Sequence, residues 1–190
     1  MKEHFKSFCM SIYAGVFIAL GCAVNLMLCA GDALLGKYIG ALLFSAGILC
    51  CIIYKTPLVT GVFPTFKAKN NYLLRVFLAT AGNFVGTMIV RVLLLGYPDF
   101  AVQNAAIDSF SVYSLIASSM LCGFVIGLIV LQQHKWMALL LIPVFILSRY
   151  QHVVVNMFIL PQWWQILICF AGNWIGGALS GFLYKRSETA

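Results

Sequence analysis

Negative charge is the scarcest resource in this sequence: only 9% of its 190 residues are charged, and five are acidic, namely Glu3, Asp32, Asp99, Asp108 and Glu188. All five fall in a tail, a loop or the margin of an apolar run, so no carboxylate is expected inside the apolar stretches. Cation channels and cation-coupled carriers place Asp or Glu along their route to offset positive charge, and the lack argues against cations, metal ions included, as cargo. A thiol framework is missing too. The seven cysteines, Cys9, Cys22, Cys29, Cys50, Cys51, Cys122 and Cys169, sit within or at the edges of apolar runs, and no Cys-x-x-Cys spacing occurs. The histidine nearest to any of them is His4, in the N-terminal tail, so neither disulfides, nor a metal site, nor any cofactor is expected. Long polar linkers are absent, which leaves no room for a separate soluble domain.

What is present is apolar. At 63% hydrophobic residues, a chain this short cannot hide its greasy surface inside one soluble globule, and a bilayer must cover the rest. Crossing about 30 Å of hydrocarbon at 1.5 Å per residue takes some 20 apolar residues. Four uninterrupted stretches qualify: Phe8 to Cys29, Tyr72 to Leu95, Ser111 to Leu131 and Gln165 to Leu183. Two more are interrupted. One runs from Tyr38 to Ile53, meets Lys55 and Pro57, and resumes as the short piece Leu58 to Phe66; the other runs from Trp136 to Leu147, breaks over Ser148 to His152, and resumes from Val153 to Leu160. The expected architecture is an all-α membrane protein of six spans in a single transmembrane domain over 1–190. Lys2 and Lys6 before the first run resemble a secretory signal, but that run is too long and lacks a small-residue cleavage site.

Basic residues set the orientation. Lys2, Lys6, Lys67, Lys69, Arg75, Lys135, Lys185 and Arg186 fall on one side of six spans, against Lys37 with Asp32, Asp99 and Asp108 on the other. The basic side is expected to be cytoplasmic, with both termini inside and the protein multi-pass in the plasma membrane. The net charge of +7 is thereby a matter of topology, and no nucleic-acid partner is implied.

A motif occurs twice: Ala81-Gly82-Asn83-Phe84-Val85-Gly86 in the third span returns as Ala171-Gly172-Asn173-Trp174-Ile175-Gly176 in the sixth. Three spans per copy is an odd number, so the halves, 1–100 and 101–190, are expected to be inverted repeats. The interruptions agree, since Thr60 lies 83 − 60 = 23 residues before its Asn and His152 lies 173 − 152 = 21 before its own. Freed backbone N–H and C=O groups find no water in hydrocarbon, so paired breaks are expected to line a polar pathway. The glycine spacings are helix-packing signals. Asn83 and Asn173 need polar partners, which the broken helices supply, and Asn173 is the better candidate to face a solute because it belongs with His152.

The ionisable groups at membrane depth are Lys55, Arg91, Arg149 and His152, all basic, which favours an anion as the traveller. Arg91 reads as a snorkelling residue at the outer end of its span. Lys55 and Arg149 flank the two breaks and are candidates to concentrate anions at the pore mouths. His152 is the one group there able to trade protons near neutral pH, and burial favours its neutral form, a hydrogen-bond donor to an entering anion.

In order along the chain, Ala14-Gly15-Val16-Phe17-Ile18, Leu58-Val59-Thr60, Gly82-Asn83, Gln151-His152 with Asn156-Met157-Phe158, and Gly172-Asn173-x-x-Gly176-Gly177 resemble the formate/nitrite transporter family. The resemblance covers nearly the whole chain. It implies an aquaporin-like protomer with its own pore, five protomers in a homopentamer, and passage of small monovalent anions such as formate, nitrite, hydrosulfide or lactate, possibly with a proton. By motif, Leu58, Val59 and Thr60 match the family's Ω-loop, and Phe44 and Ile48 the cytoplasm-side apolar gate before it. His152 matches the central histidine, Thr60 and Asn173 its polar neighbours, and Phe145 the aromatic constriction ahead of the second break. The chain departs from the family where an external-loop Lys is usual, having Ile107 and Asp108 there. It also departs at Val59, Gly123 and Gln151, where an aromatic, an Asn and an acid are common. Lys55 and Arg149 stand where small residues are expected, so positive charge has moved into the vestibules. Two rival functions exist. A pore for neutral solutes such as ammonia, water or glycerol could share the protomer shape, whereas an intramembrane enzyme would need a second catalytic group near His152, and no such motif accompanies it.

Overall fold

The structure, a computed structural model, describes residues 2–29, 34–66, 71–95, 110–132, 135–160 and 162–188. Every regular element among them is helical: α1 Lys2–Cys29, α2 Leu34–Ile53, α3 Val59–Val62, α4 Tyr72–Leu94, α5 Val112–Gln132, α6 Lys135–Leu147, α7 Val153–Ile159 and α8 Trp163–Glu188, with a 3₁₀ turn, Phe63–Thr65, continuing α3. α1, α2, α4, α5 and the Trp163–Arg186 part of α8 are long and apolar enough to cross a membrane, while α6 is apolar but shorter. The protein is thus a multi-pass membrane protein. Asp32, Lys67, Lys69, Asp99, Ile107 and Asp108, which enter the orientation and loop readings, lie outside the described residues, as does the side chain of Lys135.

Helix ends follow the apolar runs with small extensions. α1 begins at Lys2 rather than Phe8, α2 at Leu34 rather than Tyr38, and α8 runs past Leu183 to Glu188. Hydropathy marks where lipid begins, but helical hydrogen bonding continues into the polar margin.

The most extensive pairings are α5 with α8 and α1 with α4, followed by α1 with α2. Small residues make the first two possible. A Cβ at Gly82 would lie 2.5 Å from Ser11 Cβ, and one at Gly172 would lie 2.5 Å from Ser119 Cβ. A Cβ at Gly15 would collide with Asn83 O, and one at Gly123 with Asn173 O. Backbones this close gain dispersion contact that lipid cannot match.

α2 and α6 stop in the same way. Thr56 N donates to Cys51 O at 3.0 Å and Lys55 N to Ile52 O at 3.3 Å; Tyr150 N donates to Phe145 O and Arg149 N to Ile146 O, both at 3.0 Å. This is the Schellman pattern, whose closing residue takes the left-handed conformation, and here Lys55 at φ 53° and Arg149 at φ 56° occupy that place. Glycine is the usual occupant because it has no Cβ to clash, so both basic residues sit at a conformational cost of about 1 kcal/mol.

Arg91 differs from the expectation of simple snorkelling. Its guanidinium donates to Phe158 O at 2.6 Å and Ile159 O at 2.9 Å, neutralising the orphan carbonyls at the C-terminal end of α7.

Candidate functional site

Each helix break is held by one asparagine. Asn83 Oδ1 accepts from Val59 N at 2.9 Å, while its Nδ2 donates to Ser11 O at 2.8 Å and Pro57 O at 3.1 Å. Asn173 repeats the set, with Oδ1 accepting from Val153 N at 2.9 Å and Nδ2 donating to Ser119 O at 2.7 Å and Gln151 O at 2.8 Å. A neutral amide is well suited to this task, because it carries both the acceptor and the donors that interrupted backbone needs. Asn173 is fully buried, and each of these three bonds is to backbone.

These bonds also fix which residues correspond. Leu58 precedes Val59 as His152 precedes Val153, and both have extended backbone, φ −85°, ψ 128° and φ −105°, ψ 121°. The counterpart of His152 is therefore Leu58, not Thr60 as counting back from the asparagines suggests. Leu58 offers no side-chain cap, whereas His152 Nδ1 accepts from Val155 N at 3.4 Å. With Nδ1 used as an acceptor, a neutral ring carries its proton on Nε2. That atom lies 3.0 Å from Thr60 Oγ1, which accepts, so the hydroxyl proton of Thr60 is left to point elsewhere.

Around this pair the walls are apolar. Phe44 and Phe145 meet edge to face with centroids 5.9 Å apart, and the Phe145 ring lies 6.2 Å from the imidazole. Phe44 thus packs against Phe145, and Ile48, one turn further along α2, is buried in the same apolar cluster and lines a space with Leu58. His152 is 2% exposed and Thr60 and Val59 are fully buried, so the described conformation is closed around the imidazole.

The space shared by Ile48 and Leu58 is a cavity of about 530 Å³, with Lys55, Thr56 and Arg75 as its charged or hydroxyl-bearing lining. Sequence reading named Lys55 here, gave no part to Thr56, and used Arg75 only for orientation, because nothing local shows which residues will share a cavity. Arg149 is exposed at the other break, where its carbonyl accepts from Gln151 Nε2 at 3.0 Å.

The same arrangement of helices occurs in solved structures. A pentameric formate channel with formate bound superposes with a TM-score of 0.77 at 18% identity, over 99% of this chain and 96% of that one. An ion channel of the FNT family superposes with a TM-score of 0.75 at 19% identity, over 98% of this chain and 90% of that one. No curated protein matches the sequence. The family described as formate/nitrite transporter matches residues 2–186. With the match spanning both breaks, both asparagine clamps and His152, the chain belongs to the formate/nitrite transporter family.

Proposed function

We propose that this protein is a channel, open to proton-linked passage, for small monovalent weak-acid anions such as formate, nitrite, hydrosulfide or lactate, and that it is not an enzyme. It is read as one transmembrane domain of two inverted repeats, 1–100 and 101–190. The repeats contribute six spans, with the second broken between α2 and α3 and the fifth between α6 and α7. Both termini are assigned to the cytoplasm of a plasma-membrane protein. A homopentamer is inferred from family membership and from the pentameric assembly of the formate channel it resembles.

The observation that carries the reading is the buried pair of His152 Nε2 and Thr60 Oγ1, 3.0 Å apart, with the Phe145 ring 6.2 Å from the imidazole and Phe44 packed on Phe145. A full charge entering such a girdle loses its hydration at a cost of several kcal/mol. A weak-acid anion avoids much of that cost by crossing as the neutral acid, and the Nε2–H and Thr60 hydroxyl supply hydrogen bonds to either form. Strong-acid anions have no such route. Passage requires two apolar constrictions to part, the cytoplasm-side gate with Phe44 and Ile48 and the aromatic constriction with Phe145. Lys55 and Arg149 raise the local anion concentration at the two mouths, and Asn83 and Asn173 keep the broken helices in place.

The test is flux in proteoliposomes with formate, nitrite, hydrosulfide, lactate and chloride over a pH series. Weak-acid flux is expected to rise as pH falls, with chloride carried at least tenfold more slowly, and His152→Asn to cut formate flux at least tenfold and flatten its pH response. An unchanged pH profile in His152→Asn would remove the proton role. Glycerol or ammonia flux that ignored both pH and Lys55→Gln would establish the neutral-solute pore instead.

A further inference from the structure

α8 packs on the 3₁₀ turn that continues α3, and α4 packs on α7. Counted from the two clamping asparagines, 87 − 83 = 177 − 173 = 4 and 91 − 83 = 181 − 173 = 8, so Thr87 corresponds to Gly177 and Arg91 to Gly181. A Cβ at Gly177 would lie 2.8 Å from Phe63 Cβ, and one at Gly181 would collide with Pro64 O, so the turn rests directly on the α8 backbone. A polar strap closes over it: Trp174 Nε1 donates to Tyr72 OH at 2.9 Å, and Tyr72 OH to Phe63 O at 3.4 Å. Arg75 Nη1 adds a bond to Thr65 Oγ1 at 3.3 Å.

On α4 the two corresponding places carry side chains. Thr87 bonds within its own helix, its Oγ1 donating to Phe84 O at 2.8 Å. Arg91 is the arm that reaches the end of α7, through Nη1 to Phe158 O and Ile159 O. The two supports differ mechanically. A backbone seated on glycines cannot slide without losing dispersion contact along its length, whereas an arginine arm turns about several bonds and keeps its charge-assisted hydrogen bonds while their target moves. The other end of α7 is pinned, since Val153 N donates to Asn173 Oδ1 at 2.9 Å and His152 caps the helix. α7 is therefore a short lever with its pivot at Asn173 and the imidazole beside that pivot. A swing of the far end turns the ring relative to Thr60 and Phe145, which stand on other elements.

We propose that Arg91 is a positioning residue for His152, a jointed tether on which α7 swings when the pathway opens while α3 stays seated on α8. It rests on the proposed function and adds to it which partner of the central pair moves: Thr60 is fixed and His152 is mobile. The tether also limits the swing. Without it the lever opens far enough for water to follow, and hydrated chloride no longer meets a dry constriction.

Formate and chloride flux through the full-length protein in proteoliposomes are compared as a ratio, because a variant that merely folds less well lowers both in proportion. Arg91→Met is expected to lower the formate-to-chloride ratio at least fivefold. Arg91→Lys is expected to keep it within twofold, since both bonds come from one nitrogen and an ammonium can supply them. A ratio in Arg91→Met equal to that of the parent overturns the positioning role, as does a Lys variant no better than the Met one. Amide exchange of the ligand-free parent in nanodiscs reads the motion itself. Asn156 to Leu160, at the tethered end of α7, are expected to exchange at least tenfold faster than Gly61, Val62 and Phe63. Equal rates, or faster exchange in α3, overturn the assignment of α7 as the moving helix. A parent that carries no formate would sink the proposed function instead, and the exchange rates would still decide which short helix moves.

Discussion

The two breaks in this molecule share one backbone and carry different chemistry. At each, a helix closes on a left-handed basic residue, an extended residue follows, and a valine N–H is received by an asparagine 24 or 20 residues ahead. The extended residue is Leu58 at the first break and His152 at the second. Leucine contributes only bulk, so the first break presents an apolar plug beside a cavity. Histidine contributes a ring that caps α7 through Nδ1 and reaches Thr60, beyond the first break, through Nε2. Thr60 and His152 thereby come from different halves of the chain. The lesson is that the clamps hold the scaffold, and the side chain at one extended position decides which break carries an ionisable ring.

Three experiments strain that comparison to different degrees. The largest effect is expected from Asn83→Leu and Asn173→Leu, because each strands one N–H and two carbonyls in a buried place at about 1–3 kcal/mol per group. Each should lower stability by more than about 3 kcal/mol, and by similar amounts, in a denaturant titration in detergent. A benign substitution at one site and a ruinous one at the other would break the equivalence of the clamps.

Next comes Arg91→Met, which probes a feature only the second break is shown to possess. Losing the guanidinium from the carbonyls of Phe158 and Ile159 should cost about 1.5–3 kcal/mol. Amide exchange in α7 should accelerate while α3 stays as it was. α3 is instead backed by its 3₁₀ continuation, where Pro64 O sits against Gly181 and Phe63 meets Phe170 edge to face at 5.2 Å. Equal acceleration in both short helices would show that Arg91 supports the whole fold rather than α7.

The smallest effect has the opposite sign. Lys55→Gly and Arg149→Gly relieve the left-handed strain and should each stabilise the protein by about 1 kcal/mol in a thermal melt. Anion flux should fall at low ionic strength, and the deficit should shrink at high salt as the lost field is screened. A gain at one position and a loss at the other would mean that the two turns are not energetic equivalents.

Much of this was readable from residues alone. Apolar run lengths gave the long helices to within a few residues, and Lys55 with Pro57 and the polar stretch Ser148 to His152 located the breaks. The repeated Gly-Asn-x-x-Gly motif pointed to paired asparagines in need of backbone partners. Arg91 was misread because its partners are 67 and 68 residues away, and no local pattern shows that a helix end will arrive beside it. Counting from Asn83 and Asn173 paired Thr60 with His152, because the two links differ in length and only the hydrogen-bond register identifies Leu58 as the counterpart.

Composition and periodicity act through local physics: the cost of exposed backbone in hydrocarbon, the length needed to cross it, and the stop imposed by proline and polar residues. These determined a helical membrane protein with two interrupted segments and an acid-free interior. Which side chains meet is set by how closely the glycine-lined helices approach, and that is a property of the assembled fold. Tertiary structure alone brought Thr60 to His152 across 92 residues and set Phe44 against Phe145.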